Sequence, residues 1–402
     1  MASTLPLSQR ARLMPASPIR KLVPLGDAAK RRGIHVYHLN IGQPDIETPP
    51  EFMDAVRAYR EKVIAYGHSQ GLSVFIESLV RYYGGLGIPL APKNVFVTTG
   101  GSEAITFAMM AVCEPGEEII VFEPFYTNYN GFAIMGGIRL VPLETRAEDG
   151  YHLPSEETIE AAVTPRTRAI LICNPNNPTG TVLRPDELAV IRRIALRHGL
   201  YVLSDEVYRE FVYEGETRSV LSLEGLEQQA VVLDSLSKRY SLCGSRMGCI
   251  VSRNEELMGA FLRFGQARLC TATLEQIGSA ALVDAGSKYF APMIDEYRRR
   301  RDATYEELMK IPGVVCRKPS GAFYIMARLP VDDADAFAAW MLSDFHDGNE
   351  TTMIAPGSGF YATPGRGKDE ARLAYVLAAE ECRRAIEILG RGIEAYPGRI
   401  GR

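Results

Sequence analysis

The sequence predicts an α/β protein: a large domain with a mostly parallel central sheet covered by helices, plus a smaller α+β domain formed by both chain ends. Three observations predict it. The runs AILIC, LYVLS and AVVLD are almost continuously apolar, as in strands of a parallel sheet buried on both faces. Helix-period segments alternate with these strands, which requires crossover connections. Beyond residue 290 the pattern changes to long charged helices around one strand, GAFYIMARL. That stretch and the N-terminal segment each lack a complete core, so each is expected to complete the other. The expected division is 1–47 (an arm and part of the small domain), 48–287 (the large domain) and 288–402 (the rest of the small domain). A chain of 402 residues leaves room for two or three domains of about 100–200 residues each.

In chain order, a helix is expected from Ile19 to Arg32, stopped by Gly33. The short strand VYHLNIG follows and enters a Pro-rich turn. Thr48 is placed to cap a helix starting at Pro49–Pro50. SVFIESLVRYY forms a helix ending at Gly84–Gly85. NVFVTTGG is a strand entering a glycine loop, with the helix SEAITFAMMAVC behind it. EEIIVFEP is a strand, and AILICNPNNPTG is a buried strand running into a Pro/Asn loop. PDELAVIRRIALRHG is an amphipathic helix with Pro185 near its start and Gly199 at its end. LYVLSDEVY and AVVLDSLSK are two more strands. PMIDEYRRRRDATYEELMK is a helix stopping at Pro312–Gly313, and DADAFAAWMLSDF and EECRRAIEILGRGIEAY are helices following the GAFYIMARL strand.

Composition excludes several function classes. Lys and Arg number 45 against 49 Asp and Glu, a net charge of −4, and no polybasic tract marks a nucleic-acid partner. The longest uncharged apolar run lies between Glu103 and Glu114. It falls short of the roughly 20 residues a bilayer span needs, so no membrane partner is expected. The first residues lack the apolar core of a secretory signal, and a cytoplasmic location is expected. Seven scattered cysteines without a CxxC pair read as reduced thiols. The six histidines form no ligand cluster; His35 and His38 in HVYH fall on opposite faces of a strand, and no metal site is expected.

Ligands of an open α/β sheet bind beyond the carboxyl ends of its strands. Gly100, Gly101 and Ser102 follow NVFVTT and open a helix, where exposed backbone N–H groups make an anion site. Alone, this is an ordinary strand–helix turn. Asn177 follows AILIC, Asp205 and Tyr208 follow LYVLS, and Ser235, Lys238 and Arg246 follow AVVLD. One sheet edge thus gathers an anion cradle, a carboxylate, a lysine and an arginine. A lysine beside an anion site suits a Schiff base with a phosphorylated aldehyde, because burial and neighbouring positive charge favour its neutral amine. A carboxylate at a strand end can keep a pyridine nitrogen protonated.

SLSKRYSLCGSRMG resembles the lysine signature of the pyridoxal-phosphate (PLP) dependent class I/II aminotransferases, the aspartate aminotransferase-like family of fold type I. NPNNPTG and SDEVY resemble two further motifs of that family, in the same order, and the resemblance runs from LNIGQPDIETP to EARLAYV. It implies the PLP-transferase fold type I, PLP as cofactor, an amino acid and a 2-oxo acid as partners, and a homodimer with shared active sites. By the same resemblance Lys238 carries the cofactor covalently and shuttles the substrate proton. Asp205 meets the pyridine nitrogen, while Asn177 and Tyr208 bond the phenolate oxygen, Asn177 also touching substrate. Ser235 and Arg246 hold the phosphate over the cradle of Gly100, Gly101 and Ser102. Tyr126, in EPFYTNY, stacks on the ring, with Thr127 standing where the family usually has proline. Tyr66, in AYGHSQG, reaches the phosphate of the neighbouring subunit. Arg372, in EARLAYV, clamps the substrate α-carboxylate, and Gly42, in NIGQP, closes over it. Read from residues alone, a turn asparagine at 177, core tyrosines at 126 and 208, a helix-capping Asp205 and an exposed Arg372 stay open as alternatives.

The implied reaction is ping-pong transamination, with aspartate as donor and 2-oxoglutarate as acceptor. A dicarboxylic donor needs a second cation. Arg268, in QARLCTATLEQ, is the candidate, expected between the large sheet and the C-terminal unit; an arginine ending an exposed helix is the equal alternative. An aromatic or alanine aminotransferase, a PLP-dependent C–S lyase and a cyclopropane-carboxylate synthase share the same core residues. A PLP-binding regulatory module is the alternative outside enzymes, and the short N-terminal segment leaves no room for the helix-turn-helix of such regulators.

Overall fold

The structure, a computed structural model, describes residues 5–283 and 286–401. Its strands are β1 (His35–His38), β2 (Val95–Thr99), β3 (Glu118–Glu123), β4 (Arg139–Glu144), β5 (Thr167–Cys173), β6 (Tyr201–Asp205), β7 (Ala230–Ser235), β8 (Met247–Ser252), β9 (Tyr324–Arg328), β10 (Glu350–Met353), β11 (Ala355–Pro356) and β12 (Glu370–Ala374). Seven of them form one sheet in the order β2-β8-β7-β6-β5-β3-β4. The neighbours from β7 to β4 pair parallel, whereas β8 runs antiparallel to both β7 and β2.

Successive residues of these strands enter two separate cores. Val95, Ile120, Ile170, Val202 and Val232 face one, and Phe96, Ile119, Leu171, Leu203 and Val231 face the other. Leu188, Ile191 and Ile194 of the helix Pro185–His198 cover the first face. Ala104, Ile105 and Ala108 of the helix Gly100–Val112 cover the second. Coverage on both sides explains the continuous apolar runs. The expected α/β class with a mostly parallel sheet is therefore what the chain adopts.

A third core draws on both chain ends. Leu22, Ala29, Val36 and Leu39 join Tyr297, Phe323, Phe337, Leu373 and Ile386. β1 pairs parallel with β10, placing His35 opposite Glu350, and β11, β12 and β9 make a small antiparallel sheet. Residues 287 and 288, the expected boundary, fall inside one helix, Gly286–Leu308, whose Tyr289 and Phe290 touch both the first and the third core.

Some local expectations shift. The first of these helices spans Val23–Arg31, and the strand after it is confined to His35–His38. Thr48 caps nothing: the helix Pro50–Ala58 follows Pro49, and Thr48 Oγ1 instead donates to Ser241 O at 3.0 Å. A proline in the first turn removes a backbone N–H that a capping oxygen would have served. The long C-terminal helix begins before Pro292 and carries it inside. β4, β8, β10 and β11 have no counterpart in the sequence-based reading. β4 contains Pro142 and is only half-buried, and β8 hides in the continuation of the lysine segment. No helix among the described residues is long and apolar enough to cross a membrane.

Candidate active site

The shared direction of β5, β6 and β7 brings Asn177, Asp205 and the Ser235–Lys238 segment to one sheet edge. β8 runs the other way, so Arg246, which precedes it, lies at that same edge. A cavity of about 600 Å³ opens there, and Gly42, Gly101, Ser102, Tyr126, Asn177, Asp205, Tyr208, Ser235, Lys238, Arg246 and Arg372 all line it. A larger groove of about 860 Å³, between residues 144–154 and 317–320, lacks this set.

The anion end is built from close backbone approach. Gly100 has φ +71°, and a Cβ there would stand 2.5 Å from Arg246 Nη2. Glycine alone lets the guanidinium lie against the start of the helix. Arg246 Nη1 donates to Cys243 O at 2.9 Å. Ser235 is buried at the end of β7; its Oγ donates to Met247 O at 3.0 Å and accepts from Ser237 N at 3.2 Å.

Lys238 rides on the helical turn Leu236–Arg239. Its Nζ donates to Gly42 O at 2.8 Å and lies 3.7 Å from Cys243 Sγ. Burial holds its ammonium below the ordinary lysine range; Arg372 and Arg246 push the same way and Cys243 opposes. Asp205 is buried with no cation facing it among the described residues. Its Oδ2 accepts from Tyr129 Oη at 2.8 Å and its Oδ1 from Val207 N at 3.4 Å. Burial pushes this carboxyl up to about 6, against those hydrogen bonds and with the repulsion of Asp234 and Glu206.

A chain of polar contacts joins the other half of the cavity. Asn177 Nδ2 donates to Tyr208 Oη at 3.4 Å, and Tyr208 Oη shares a hydrogen bond of 2.8 Å with Tyr324 Oη. Arg372 is 2% exposed on β12. Its Nη1 donates to Asn177 Oδ1 at 3.0 Å and its Nη2 to Asn40 O at 2.6 Å, while Nε has no partner. The guanidinium packs over the rings of Tyr324 and Phe360, at 4.5 and 5.0 Å. No carboxylate of the described residues pairs with it, and burial lowers its hold on the proton. Gly42 is required beside it, because a Cβ there would collide with the Tyr324 hydroxyl. Tyr126 lines the same cavity; its Oη accepts from Asn128 Nδ2 at 2.7 Å and its ring meets Tyr129 edge-on.

Two of the expected site residues are not brought here. Tyr66 is 83% exposed and lies outside the cavity lining. Arg268 does not stand between the large sheet and the C-terminal unit. It ends the helix Glu255–Arg268, which packs along β2 at the sheet's edge. There its guanidinium faces Glu103 at 3.2 Å, donates to Val97 O at 3.1 Å and covers the Phe96 ring. The sequence reading also missed Tyr324, Ser237 and Cys243 at the cavity, Tyr129 on Asp205 and Asn40 on Arg372. Ser237 and Cys243 lie inside the lysine motif, whereas Tyr324 sits in a strand whose aromatic residues read as core.

A family model described as aminotransferase class I and II matches residues 34–389. The aspartate/prephenate aminotransferase of Thermus thermophilus is 30% identical over 96% of this chain and 99% of its own length. Aromatic-amino-acid aminotransferase 2 of Thermococcus litoralis is 30% identical over 95% of this chain and 96% of its own. The solved structure of the alanine aminotransferase from Pyrococcus furiosus superposes with a TM-score of 0.88 at 29% identity, covering 97% of this chain and all of that one.

Proposed function

Because the chain belongs to the class I and II aminotransferase family, we propose that it moves the amino group of an L-amino acid to a 2-oxo acid by a ping-pong mechanism with PLP as cofactor, aspartate being the donor and 2-oxoglutarate the acceptor. One observation carries this reading. A single cavity holds a buried guanidinium and a buried carboxylate that have no opposite charge facing them among the described residues (Arg372 and Asp205), and a lysine whose neutral amine burial favours (Lys238). Those unmet groups fit an α-carboxylate, a protonated pyridine nitrogen and a reactive aldehyde in turn.

Arg246, Ser235, Ser102 and the N–H groups at Gly100 and Gly101 would hold the phosphate, since a helix start and a planar guanidinium both favour phosphate oxygens. Asn177 and Tyr208 would bond the phenolate oxygen and Tyr126 would cover the ring. When bound, PLP supplies an electron sink for negative charge developing at substrate Cα. The chain does the rest. Arg372 fixes the α-carboxylate and the backbone at Gly42 closes over it. Lys238 Nζ, whose neutral form burial favours, takes the Cα proton and later returns it. The aspartate donor rests on the name of the Thermus thermophilus relative. We also propose a homodimer in which the exposed Tyr66 reaches the neighbouring site. The division 1–47, 48–287 and 288–402 is proposed on the core shared by both ends.

The test is a titration of the PLP-saturated protein with a panel of amino acids, followed by the absorbance of the bound cofactor. Aspartate is expected to change the spectrum at the lowest concentration. Absence of a lysine-linked cofactor band, or its persistence in Lys238→Ala, would overturn the reading.

A further inference from the structure

Resting on that reading, we propose that Arg20 is the specificity-determining contact for the substrate side chain, binding the distal carboxylate of a dicarboxylic amino acid or 2-oxo acid. The argument starts from charge. The cavity lining contains four cationic side chains, Arg20, Lys238, Arg246 and Arg372, and one carboxylate, Asp205. The phosphate matches Arg246, the α-carboxylate matches Arg372, the ring nitrogen matches Asp205, and Lys238 is taken up by the cofactor's aldehyde. Arg20 remains. Its backbone N donates to Ser17 O at 3.2 Å and its O accepts from Val23 N at 3.0 Å, while its side chain makes no hydrogen bond or ion pair among the described residues. A monocarboxylic substrate leaves this cation unmatched, and a second carboxylate completes the set.

The placement of its turn supports the assignment. The residues on either side of Arg20 are each tied down. Pro18 packs so closely on Gly359 that a Cβ there would collide with it. Lys21 forms an ion pair with Asp335, which also accepts from Ser358 Oγ at 2.5 Å. Leu22 is buried in the core shared by the chain ends. Ile19 packs on the small cluster that contains Phe360, and the Phe360 ring lies 5.0 Å from the Arg372 guanidinium. The turn is therefore held beside the α-carboxylate clamp, while among the described residues nothing pairs with the Arg20 guanidinium. A planar fork of N–H donors matches a carboxylate through two oxygens. Arg20 is exposed, so such a pair is screened by salt.

The experiment uses the PLP-loaded full chain, Arg20→Gln and Arg20→Lys. It measures kcat and KM for aspartate and for alanine, and the affinity for the unreactive acids succinate and propionate by calorimetry. In Arg20→Gln the aspartate-to-alanine ratio of kcat/KM is expected to fall about tenfold, chiefly through KM for aspartate. Succinate affinity is expected to fall in parallel and, in the parent protein, to weaken with added salt; Arg20→Lys recovers part of both. An unchanged ratio in Arg20→Gln, or a parent protein that prefers alanine, overturns the assignment of Arg20. A parent protein that converts no amino acid in the presence of a 2-oxo acid overturns the aminotransfer reading on which it rests.

Discussion

Two sets of buried charge lie one strand apart at the same sheet edge, and they are finished differently. Asp234, on β7, is enclosed. Arg239 pairs with it, Arg209 stands at 3.4 Å, Tyr83 Oη donates to it at 2.8 Å and Ser235 N at 2.7 Å. Arg209 also pairs with Glu206 at 2.6 Å and Arg239 with Glu210 at 3.1 Å. Burial opposes ionisation of Asp234, yet Arg239 and Arg209 outweigh it and hold the carboxyl below its usual range. Asp205, at the end of β6, meets the same burial with no cation facing it among the described residues and is pushed up to about 6. The closed cluster fixes the turn that carries Lys238. The open set is completed only by a ligand. Residue type and burial do not separate scaffold from site here; the completeness of the charge does.

Perturbing each set should therefore give opposite signatures. The largest expected effect is Lys238→Ala, which should slow turnover by about 10⁴-fold while leaving the melting temperature near the parent value; single-turnover product formation beside a thermal melt checks this. Asp234→Ala breaks the closed cluster, taking from the buried Arg209 and Arg239 the carboxylate they share and leaving each with a single carboxylate partner, Glu206 and Glu210. Urea unfolding should show a loss of about 3–5 kcal/mol. Arg372→Met removes a charge the fold never neutralised. Its kcat/KM should fall about 100-fold, with no lowering of the urea midpoint of the cofactor-free protein.

The smallest expected effect concerns Asp205 and pH. Its folded-state value of about 6 lies above the ordinary 3.8, so the folded chain binds this proton more tightly than the unfolded one. Stability of the cofactor-free protein accordingly falls as pH rises between those values. Asp205→Asn should thus be more stable than the parent above pH 6, by on the order of 1–3 kcal/mol, and nearly equal to it below pH 4. Urea unfolding at both ends of that window measures the difference.

Much of this was legible in the sequence, for a definite reason. Asn177, Asp205, Ser235 and Lys238 follow directly on buried strands, and a parallel sheet delivers all such positions to one edge. Arg372 and Gly42 come from the two chain ends, and motif resemblance rather than any local pattern assigned them. Arg268 was misplaced because a helix end carries no local sign of the strand it packs against; β2 at the sheet's edge decides its position. Tyr324 and Tyr129 were missed because a buried aromatic with a polar tip reads as core until its hydroxyl partner is known, and those partners lie 116 and 76 residues away. The closed cluster around Asp234 was invisible for the same reason: Tyr83 and Arg209 join it from other elements.

One measurement tests the central claim most directly. The PLP-loaded protein is mixed with excess aspartate and no acceptor, oxaloacetate and ammonia are quantified, and 2-oxoglutarate is then added. The account predicts a single burst of oxaloacetate equal to the active sites, no ammonia, and glutamate formed only after the second addition. Continuous release of a 2-oxo acid with ammonia before any acceptor is added, or no oxaloacetate at all, would contradict it.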